Sequence, residues 1–410
     1  MLSNRAERLW TIVLPEKWPE LPAEMSFSLL LELETCPRRW ALSKASYSDI
    51  WERSGYPPKL YLSSLMGTTI HLAVEEITKA LARARCPSLR SAEAVAVIKE
   101  IGGYSTLLVD CIARALAPYS DNPRVAHLLD LVRQKLRSQI PEMRLQVQSF
   151  LAGLILESRS SVFEGKKQSA NHGRFPLGLG VHPEVEVRAR GLRWRGKLDL
   201  LSLANGNCEI IDFKTGEPSD HHRFQLMVYA LLWYRDVEIN PTGRLANKLT
   251  AVYRSNRVSY DAPLASELEE IEKQVNDRTQ RARDSGCAAI PEARPSKEAC
   301  QFCGVRQMCD EYWEATRQGR FKDESSTTSF SDVELTITTR HGPLSWDGTV
   351  ISASRCQSGT SIVFRATAPG VELYPGAHIR VLDGCVVASE SSEEPGAVAP
   401  GSSLHVCCRR

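Results

Sequence analysis

The sequence has no long apolar stretch, no excess of charge of either sign and no internal repeat. No apolar run reaches the roughly 18 residues that a membrane-spanning helix requires. Arg5, Glu7 and Arg8 precede Leu9, where a signal peptide would have its apolar core. Because the formal net charge is only +2 over 410 residues, binding to nucleic acid would need local basic patches. These absences predict a cytoplasmic protein with no membrane association.

The composition is that of a globular chain with reduced cysteines. With 42% hydrophobic and 24% charged residues, the chain can form two or three domains of ordinary size. Its 12 cysteines are irregularly spaced and follow no export signal, which favours free thiols and metal ligands over disulfides. Six cysteines have no partner at ligand spacing and are expected to be buried, inert thiols: Cys86, Cys111, Cys208, Cys287, Cys356 and Cys385.

The apolar pattern changes its period along the chain. From Leu60 to about Ser160 the apolar residues have helical spacing, with a break or kink at Pro141, which predicts a helical insert or cap. Three strand patterns follow, VEVRAR, LRWRGKLDLLSL and CEIIDFK, and Asn205-Gly206 predicts a tight hairpin between the last two. The next segments read as a helix (HHRFQLMVYALLWYRD), a strand (LTAVYRS) and a charged helix ending at Gly286. This order predicts a compact α/β sandwich.

The C-terminal part has a different composition. A polar, Ser/Thr-rich linker is predicted at 317–331. Residues 332–410 are mainly β-formers between Gly and Pro, and the segment LYPGAHIRVLDG favours a small barrel of the oligonucleotide-binding (OB) type, although short strands also form sandwiches. The segment SESSEEPGAVAPGSS is predicted to be a mobile loop before a last strand, SLHVCC.

The candidate chemistry lies on the predicted hairpin. Asp199 and Asp212 fall on successive strands, so their carboxylates can meet at one edge of the sheet, and Lys214 projects from the same strand face as Asp212. Carboxylates that bind a divalent cation, together with an ammonium group, are what phosphodiester hydrolysis needs. Glu184 or Glu186 can add a further carboxylate. An Asp-x-Lys alone also occurs as a solvated surface pair.

Three residues outside the hairpin can complete this site. Gln225 and Tyr229 are four residues apart on one helix face, where they can orient Lys214 or contact DNA. His71 opens the first long predicted helix and can add an imidazole ligand. The alternatives are that His71 caps or packs against the helix and that Tyr229 is a core aromatic residue.

Four cysteines have the spacing of a metal site. Cys300, Cys303 and Cys309 supply three thiols within one short segment, and Cys36 follows a predicted helix far upstream. Four thiolates suit tetrahedral zinc or an iron–sulfur cluster, and the number of ligands does not decide between them. Either centre would restrain the unfolded chain across the long intervening sequence.

Basic residues near both motifs are candidates for nucleic-acid binding. The segment RARGLRWRGK would present a positive row leading to Asp199, or simply a solvated strand face; the row comprises Arg188, Arg190, Arg193, Arg195 and Lys197. Next to Cys36, Arg38 and Arg39 with Trp40 can track a single strand, or can form a solvated turn with a packed Trp.

Taken in order, these motifs resemble a known family. SFSLLLELETCPRRWAL, GTTIHLAVEE, GKLDLL, IIDFKTG, QLMVYAL and CQFCGVRQMC occur in the order seen in RecB-like PD-(D/E)XK nucleases that carry an iron–sulfur cluster, such as the CRISPR adaptation exonuclease and AddB. The resemblance covers about residues 26–313. It implies a restriction-endonuclease-like core sheet flanked by helices, and it favours a four-iron four-sulfur (4Fe-4S) cluster over zinc.

The resemblance also implies residue roles. The implied metal ligands for Mg²⁺ or Mn²⁺ are His71, Asp199, Asp212 and the backbone carbonyl of Phe213. Lys214 would be the catalytic lysine, and Gln225 with Tyr229 the downstream helix motif. This chain has Asp212 where many relatives have Glu, which shortens the side chain by one methylene and does not exclude activity.

The expected function is a divalent-metal-dependent deoxyribonuclease that acts on single strands or free ends. The resemblance suggests an exonuclease of DNA repair, recombination, CRISPR or phage defence. The alternatives are a non-cleaving DNA-binding scaffold and an endonuclease effector of a defence system. No G-x4-G-K-S/T phosphate loop is present, so unwinding would need a helicase or defence-system partner.

The expected domain organisation has six parts. They are an N-terminal segment with the first cluster cysteine (1–60), the helical region (61–176), the nuclease core (177–290), the cysteine lobe (291–316), the linker (317–331) and the barrel (332–410).

Overall fold

The computed structural model describes residues 15, 17–48, 50–152, 154, 174–254, 256–321, 330–353, 357–365, 373–387 and 397–400. Its contacts divide the chain into two compact units. The sheet unit comprises the described residues of Leu21–Leu31 and Lys59–Asp284. The barrel unit comprises those of Met1–Glu20, Glu32–Pro58 and Ser285–Arg410.

The α-helices of the described residues cover most of the N-terminal half. In chain order they are α1 (Phe27–Thr35), α2 (Pro37–Lys44), α3 (Leu62–Arg83), α4 (Ala92–Glu100), α5 (Gly103–Leu116), α6 (Leu129–Ser138), α7 (Ile140–Ala152), α8 (Asp220–Arg235), α9 (Ala265–Gly286), α10 (Lys297–Gln301) and α11 (Asp310–Arg317). The predicted break at Pro141 is confirmed, because α6 ends at Ser138 and Pro141 lies in the first turn of α7.

The sheet unit contains a five-stranded mixed sheet in the order β1-β2-β3-β4-β5. The strands are β1 (Gly180–Ala189), β2 (Trp194–Ala204), β3 (Asn207–Phe213), β4 (Lys248–Val252) and β5 (Arg257–Asp261). Strands β3 and β4 are parallel, and the other neighbours are antiparallel. The three predicted consecutive strands are confirmed. The sequence reading missed β5, a five-residue strand with no buried residue.

Local chemistry explains the hairpin between β2 and β3. Gly206 has a φ of 74°, a left-handed conformation that glycine adopts without a Cβ penalty, so Asn205-Gly206 turns the chain tightly. All residues of β3 after Asn207 are buried. A central strand buried in this way reads as a nearly continuous apolar run, as IIDF does here.

The helical region and the sheet share one hydrophobic core. Helices α3, α5 and α7 contribute Ile77, Leu108 and Val147 to a cluster that includes Ile211 and Phe213 of β3. The ring of Phe213 stacks on that of Phe150 with centroids 5.0 Å apart. The helical region is therefore packed on the sheet, and it fixes α3 relative to the ends of the strands.

The barrel unit ends in a closed five-stranded barrel in the order β10-β8-β7-β6-β9. The strands are β6 (Phe330–Gly342), β7 (Ser345–Ala353), β8 (Ser361–Arg365), β9 (His378–Val387) and β10 (Ala397–Pro400). Its core contains Trp346 and Phe364. The fourth strand pairs with the first, which is Greek-key connectivity.

The last described strand, β10, lies in a segment for which the sequence predicted no strand. The segment predicted to be a mobile loop contains strand β10, which pairs with β8 and β9, so that prediction was wrong for 397–400. The strand is the short run AVAP, which backbone pairing to two neighbours holds in place. The predicted last strand SLHVCC lies outside the described residues.

No helix within the described ranges combines the length and apolarity that crossing a bilayer demands.

Candidate functional site

Three carboxylates form one row across adjacent strands of the sheet unit. Pro183 pairs with Leu200 and Val185 with Leu198, so Glu184 of β1 lies opposite Asp199 of β2. Continuing the pairing between β2 and β3 by one residue places Asp199 opposite Asp212. Like charges that face each other across strands are destabilising, so this row needs cations to compensate it.

Glu184 stands out by its backbone conformation. Its φ of 57° is in the left-handed region, which is uncommon for a residue with a Cβ. Its side chain is largely buried and forms an ion pair with Lys197. Burial raises the pKa of Glu184, and the charges of Asp199 and Glu75 add to this effect. Of the two glutamates that the sequence offers for the site, Glu184 is therefore the better candidate. Glu186 instead forms an ion pair with Arg188.

Asp199 links the first long helix to the end of β3. Its Oδ2 accepts a hydrogen bond from the backbone N–H of Phe213 at 2.7 Å, and its Oδ1 lies 3.6 Å from Nδ1 of His71. His71 lies in the middle of α3, nine residues after the helix begins, so the expectation that it opens the helix was wrong. This position allows its ring to point towards the strand ends.

Asp212 and Lys214 are neighbours, as the strand spacing predicts. Nζ of Lys214 lies 2.6 Å from Oδ2 of Asp212. Oδ2 is nevertheless buried without a hydrogen bond of good geometry. Nζ also donates to Oε1 of Gln225 at 2.7 Å, and Nε2 of Gln225 donates to the Tyr229 hydroxyl at 2.7 Å. Gln225 and Tyr229, on one face of α8, thus hold the ammonium group of Lys214. Tyr229 is also a buried aromatic residue.

Burial and charge shift the proton affinities of these groups. Burial, reinforced by the charge of Asp199, raises the pKa of Asp212 to about 6, although Lys214 opposes the shift. Burial lowers the pKa of His71, but its hydrogen bond to Asp199 and the nearby carboxylates outweigh burial and raise it. Burial also raises the pKa of Tyr229. A second cation at the row would relieve the repulsion that raises the pKa of Asp212.

The donor set suits a hard divalent cation. Carboxylate oxygens, an imidazole nitrogen and a backbone carbonyl are ligands of this class of ion. In the described part of the chain, no three acidic, His or Cys side chains converge at coordination distances. At the acidic row, one oxygen of Asp199 faces the N–H of Phe213, and one oxygen of Asp212 faces the ammonium group of Lys214. These two oxygens therefore do not point to a common centre. The observation that favours a bound cation here is that the buried Asp212 carboxylate faces Asp199 and has Lys214 as its ionic partner, so the acidic row has more negative charge than this one ammonium group compensates.

A polar pair next to Lys214 escaped the sequence reading. Nδ1 of His222, in the first turn of α8, lies 3.0 Å from the hydroxyl of Tyr253, which follows β4. Burial, with the charge of Lys214, lowers the pKa of His222, so the ring is a neutral donor or acceptor near the site. The only sign of this pair in the sequence is the HHR segment at 221–223, and that segment does not indicate which residue His222 contacts.

The four cysteines of the barrel unit lie near one another. Cys36 lies just before α2, and its Sγ accepts hydrogen bonds from the N–H groups of Arg39 (3.4 Å) and Arg294 (3.5 Å). Cys300 lies in α10, and Cys303 and Cys309 follow before α11 begins. Burial raises the pKa of the Cys300 thiol to about 11 and that of Cys309 to about 12, and it raises that of Cys303. The charge of Cys36 adds to the shift of all three.

A buried ionic network joins the cysteine segment to the barrel strands. Arg306 donates to both oxygens of Asp332 in β6 at 2.6 and 3.0 Å, and to the carbonyl of Cys303 at 3.2 Å. Arg380 of β9 donates to Glu334 and to the carbonyl of Gln307, both at 3.0 Å. Both arginines are almost fully buried, so these contacts fix the segment that carries the thiols.

The proposed nucleic-acid contacts near Cys36 are used within the protein. Arg38 forms a bidentate pair with Glu311 at 3.0 and 3.1 Å and donates to the carbonyl of Pro291. Trp40 is buried, which makes it a packed residue and excludes base stacking in this structure. Of this group, Arg39 keeps a half-buried side chain that can meet a ligand.

The predicted positive row on the first two strands is interrupted. Arg193 is not on a strand: it has a φ of 54° and closes the turn between β1 and β2. Lys197 pairs with Glu184, which neutralises it at the edge of the acidic row. Arg195 lies on β2 with an exposed side chain. Most of the row is thus paired within the protein, Arg188 with Glu186, Arg190 with Glu238 and Lys197 with Glu184.

The isolated cysteines divide into two groups. Cys86, Cys111 and Cys208 are buried, as expected. Cys287 is exposed just beyond α9, so the expectation of a buried thiol was wrong there. The side chains of Cys356 and Cys385 lie outside the described residues.

Comparison with known proteins identifies the family. A comparison with curated proteins gives no match. A solved structure described as "Crystal structure of SSO0001" aligns at 15% identity over 61% of this chain and 97% of that chain, with a TM-score of 0.23. The family model described as "PD-(D/E)XK nuclease superfamily" matches residues 24–310. Since this match covers most of the chain, including the acidic row and Lys214, the protein belongs to the PD-(D/E)XK nuclease superfamily.

Proposed function

We propose that this protein is a divalent-metal-dependent deoxyribonuclease that hydrolyses phosphodiester bonds in single strands or at free ends. The observation that carries the proposal is the row of Glu184, Asp199 and Asp212 across three strands, with Lys214 beside its innermost member. A surface ion pair would not need an acid that is buried as deeply as Asp212.

His71, Asp199, Asp212 and the carbonyl of Phe213 would hold Mg²⁺ or Mn²⁺. When bound there, such an ion would supply Lewis-acid chemistry for the scissile phosphate and for activation of a water molecule. The N–H of Phe213 holds Asp199 at the end of β3, so the carboxylate is positioned before an ion arrives. This preorganisation reduces the reorganisation that catalysis would otherwise require.

Lys214 would place a positive charge against the phosphate as negative charge develops on it. Gln225 accepts a hydrogen bond from Nζ and is itself held by Tyr229, so the ammonium group has few alternative positions. The raised pKa of Tyr229 keeps its hydroxyl protonated and able to take part in this chain at neutral pH. Gln225 and Tyr229 are in this proposal positioning residues for Lys214.

The cysteines would hold a metal centre of their own, a 4Fe-4S cluster in preference to zinc. The charges of the cysteines affect one another, and three of the four thiols lie in a segment that buried arginines hold. Together they supply a suitable donor set. Burial raises the pKa of the Cys300, Cys303 and Cys309 thiols, so they are protonated at neutral pH when free and binding of a metal would release protons. The role of this centre would be structural or redox-sensitive, because the acidic row contains the hydrolytic groups.

The terminal barrel would be an OB-type domain that provides an additional surface for the strand. Support comes from its five strands, its closure and its Greek-key order. Barrels of this type bind single strands by combining basic and aromatic side chains. The experiment is to measure binding of a labelled single-stranded oligonucleotide to the full chain and to a variant that lacks the described barrel strands.

The mode of cleavage is tested with linear and closed circular single strands. The proposal predicts that, with Mg²⁺ or Mn²⁺, end-labelled linear DNA is degraded to short products while circular DNA of the same sequence stays intact. Cleavage of the circle would instead identify an endonuclease, such as a defence effector. Binding without any cleavage of either substrate would identify a scaffold and contradict the nuclease proposal.

The stabilising effect of a divalent cation should depend on pH. The folded, metal-free protein binds the Asp212 proton more tightly than the unfolded chain does, so this group favours folding at low pH, and that contribution is lost as pH rises through about 6. A cation binds the ionised carboxylate. Thermal unfolding should therefore show a larger increase in Tm with Mg²⁺ or Mn²⁺ at about pH 8 than at about pH 5. Asp212→Asn should show no such pH-dependent increase; an equal increase in both proteins would contradict the assignment.

A further inference from the structure

An open groove of about 460 Å³ begins at the acidic row and runs along β1 and α3. Glu184 lies both in the row and in the wall of the groove. Apolar residues that include Val181 and Ile239 also line it, together with Lys79 and Arg83 of α3. The groove is therefore continuous with the candidate site and differs from it in character, being partly apolar and bordered by cations.

Helix α3 extends from the acidic row to the groove, and four of its charged or titratable residues are spaced about one turn apart. His71, Glu75, Lys79 and Arg83 recur every four residues, so they follow one another along the helix at intervals of about 6 Å. The first of them faces Asp199, and the last two border the groove. Lys79 pairs with Glu75, whereas the exposed Arg83 has no partner among the residues that the structure describes. The end of the stripe farthest from His71 thus offers a cation for an external anion.

An aromatic residue borders the same groove. Phe175 is 66% exposed, and its neighbour Arg174 is held by Asp236 at 2.7 Å and Glu238 at 2.9 Å. On its other side, the N–H of Leu177 donates to the carbonyl of Ile239 at 2.9 Å. The backbone around Phe175 is anchored on both sides, so its exposed ring projects from a positioned part of the groove wall.

We infer that this groove binds the single-stranded DNA that flanks the phosphodiester bond to be cleaved, with a base stacked on Phe175 and a phosphate bound by Arg83. The inference rests on the proposed nuclease function. An exposed aromatic ring and a free cation are the combination that binds single strands without sequence preference. The volume of the groove is within the range of small-ligand clefts, which suits one or two nucleotides. Glu184 and Glu186 on the opposite wall keep phosphates on the side of α3.

Two variants test the groove, each with a matched control. Arg83→Glu and Phe175→Ala should each weaken binding of a fluorescent single-stranded oligonucleotide, measured by anisotropy with Ca²⁺, by about tenfold. Arg137→Glu reverses the charge of another exposed arginine in the last turn of a helix, and Leu145→Ala truncates a side chain that is 68% exposed. Both controls should bind as the wild type does.

A small substrate separates the groove from the metal site. Bis(p-nitrophenyl) phosphate reaches the acidic row without filling the groove, so both groove variants should hydrolyse it at the wild-type rate while kcat/KM for the oligonucleotide falls about tenfold. If the wild type cleaves DNA and the groove variants match it on both substrates, the groove assignment is overturned and the nuclease proposal stands. If the variants lose only DNA binding and the wild type cleaves nothing, the groove stands and the nuclease proposal fails.

Photocrosslinking of the wild-type protein makes the test independent of the variants. Oligonucleotides with one 5-bromodeoxyuridine at successive positions from the labelled end are irradiated with the protein in Ca²⁺, and the crosslinked peptide is identified by mass spectrometry. Crosslinks to Phe175 from one or two adjacent positions support the assignment. Crosslinks confined to residues that do not line the groove overturn it.

Discussion

Asp212→Ala and Lys214→Ala should each reduce metal-dependent cleavage of single-stranded DNA by roughly a thousandfold or more while DNA binding changes little. Asp212 is the most deeply buried acid of the row, and Lys214 is the ammonium group nearest to it. Removing the acid deletes a ligand for the cation, and removing the lysine deletes charge that would stabilise the transition state. Because both contributions are specific to the reaction, kcat should fall and KM should change little.

The chain offers a matched control for these two variants. Glu209 is a buried acid on the same strand as Asp212, and it pairs with Lys248 of β4 at 3.2 Å. This pair lies at the opposite end of β3 from the acidic row. Glu209→Ala and Lys248→Ala remove a comparable ion pair, so they should lower stability and leave the cleavage rate of the folded fraction within about threefold of the wild type.

Circular dichroism and anisotropy identify loss of activity that is caused by misfolding. Asp212→Ala should melt at or above the wild-type temperature in metal-free buffer at about pH 8, because it removes a buried charge whose ionisation is costly. Pure Asp212→Ala or Lys214→Ala protein that still cleaves DNA at the wild-type rate would contradict the assigned roles.

Cys303→Ser should release the metal centre of the barrel unit and lower its free energy of unfolding by several kcal/mol. Cys303 is buried, and its carbonyl and the following turn are held by Arg306. Loss of one ligand would leave three thiols and two buried arginines around an open site. Anaerobically purified wild-type protein should contain iron and be brown, and the variant should be colourless with little iron.

Cys208→Ser is the control for this experiment. Cys208 is fully buried in β3 of the sheet unit, and it is not one of the four cysteines of the proposed centre. Its replacement should cost stability through packing and a buried hydroxyl, without changing the metal content. Zinc without iron in the wild type would contradict the iron–sulfur assignment but not the nuclease proposal. Equal iron in Cys303→Ser and the wild type would contradict the ligand assignment.

Local rules predicted the central strands and the pairing of the acids. Asn205-Gly206 sets the hairpin, and the register of a hairpin follows from its turn, so Asp199 and Asp212 meet because they are placed symmetrically about it. Likewise, alternation along a strand places Lys214 beside Asp212. These relations need only neighbouring residues, which is why the sequence contains them.

The remaining features depend on tertiary contacts that no local pattern encodes. His71 reaches Asp199 because the shared core places the middle of α3 over the strand ends. The left-handed conformation of Glu184 follows no glycine or asparagine signal. Basic residues were the least predictable group, since Arg38 and Lys197 look like DNA contacts until their partners Glu311 and Glu184 are known. Charge in a sequence does not tell whether its partner is internal or external.

The position of Mn²⁺ in crystals of the protein tests the central claim most directly. Anomalous scattering from crystals soaked in Mn²⁺ locates the ion without any assay of activity. We predict a peak within coordination distance of His71, Asp199 and Asp212, about 2.2 Å from the carboxylate oxygens. Its height should fall to the background in Asp212→Ala. A fully occupied Mn²⁺ site elsewhere in the chain, with no density at these three residues, would contradict the account.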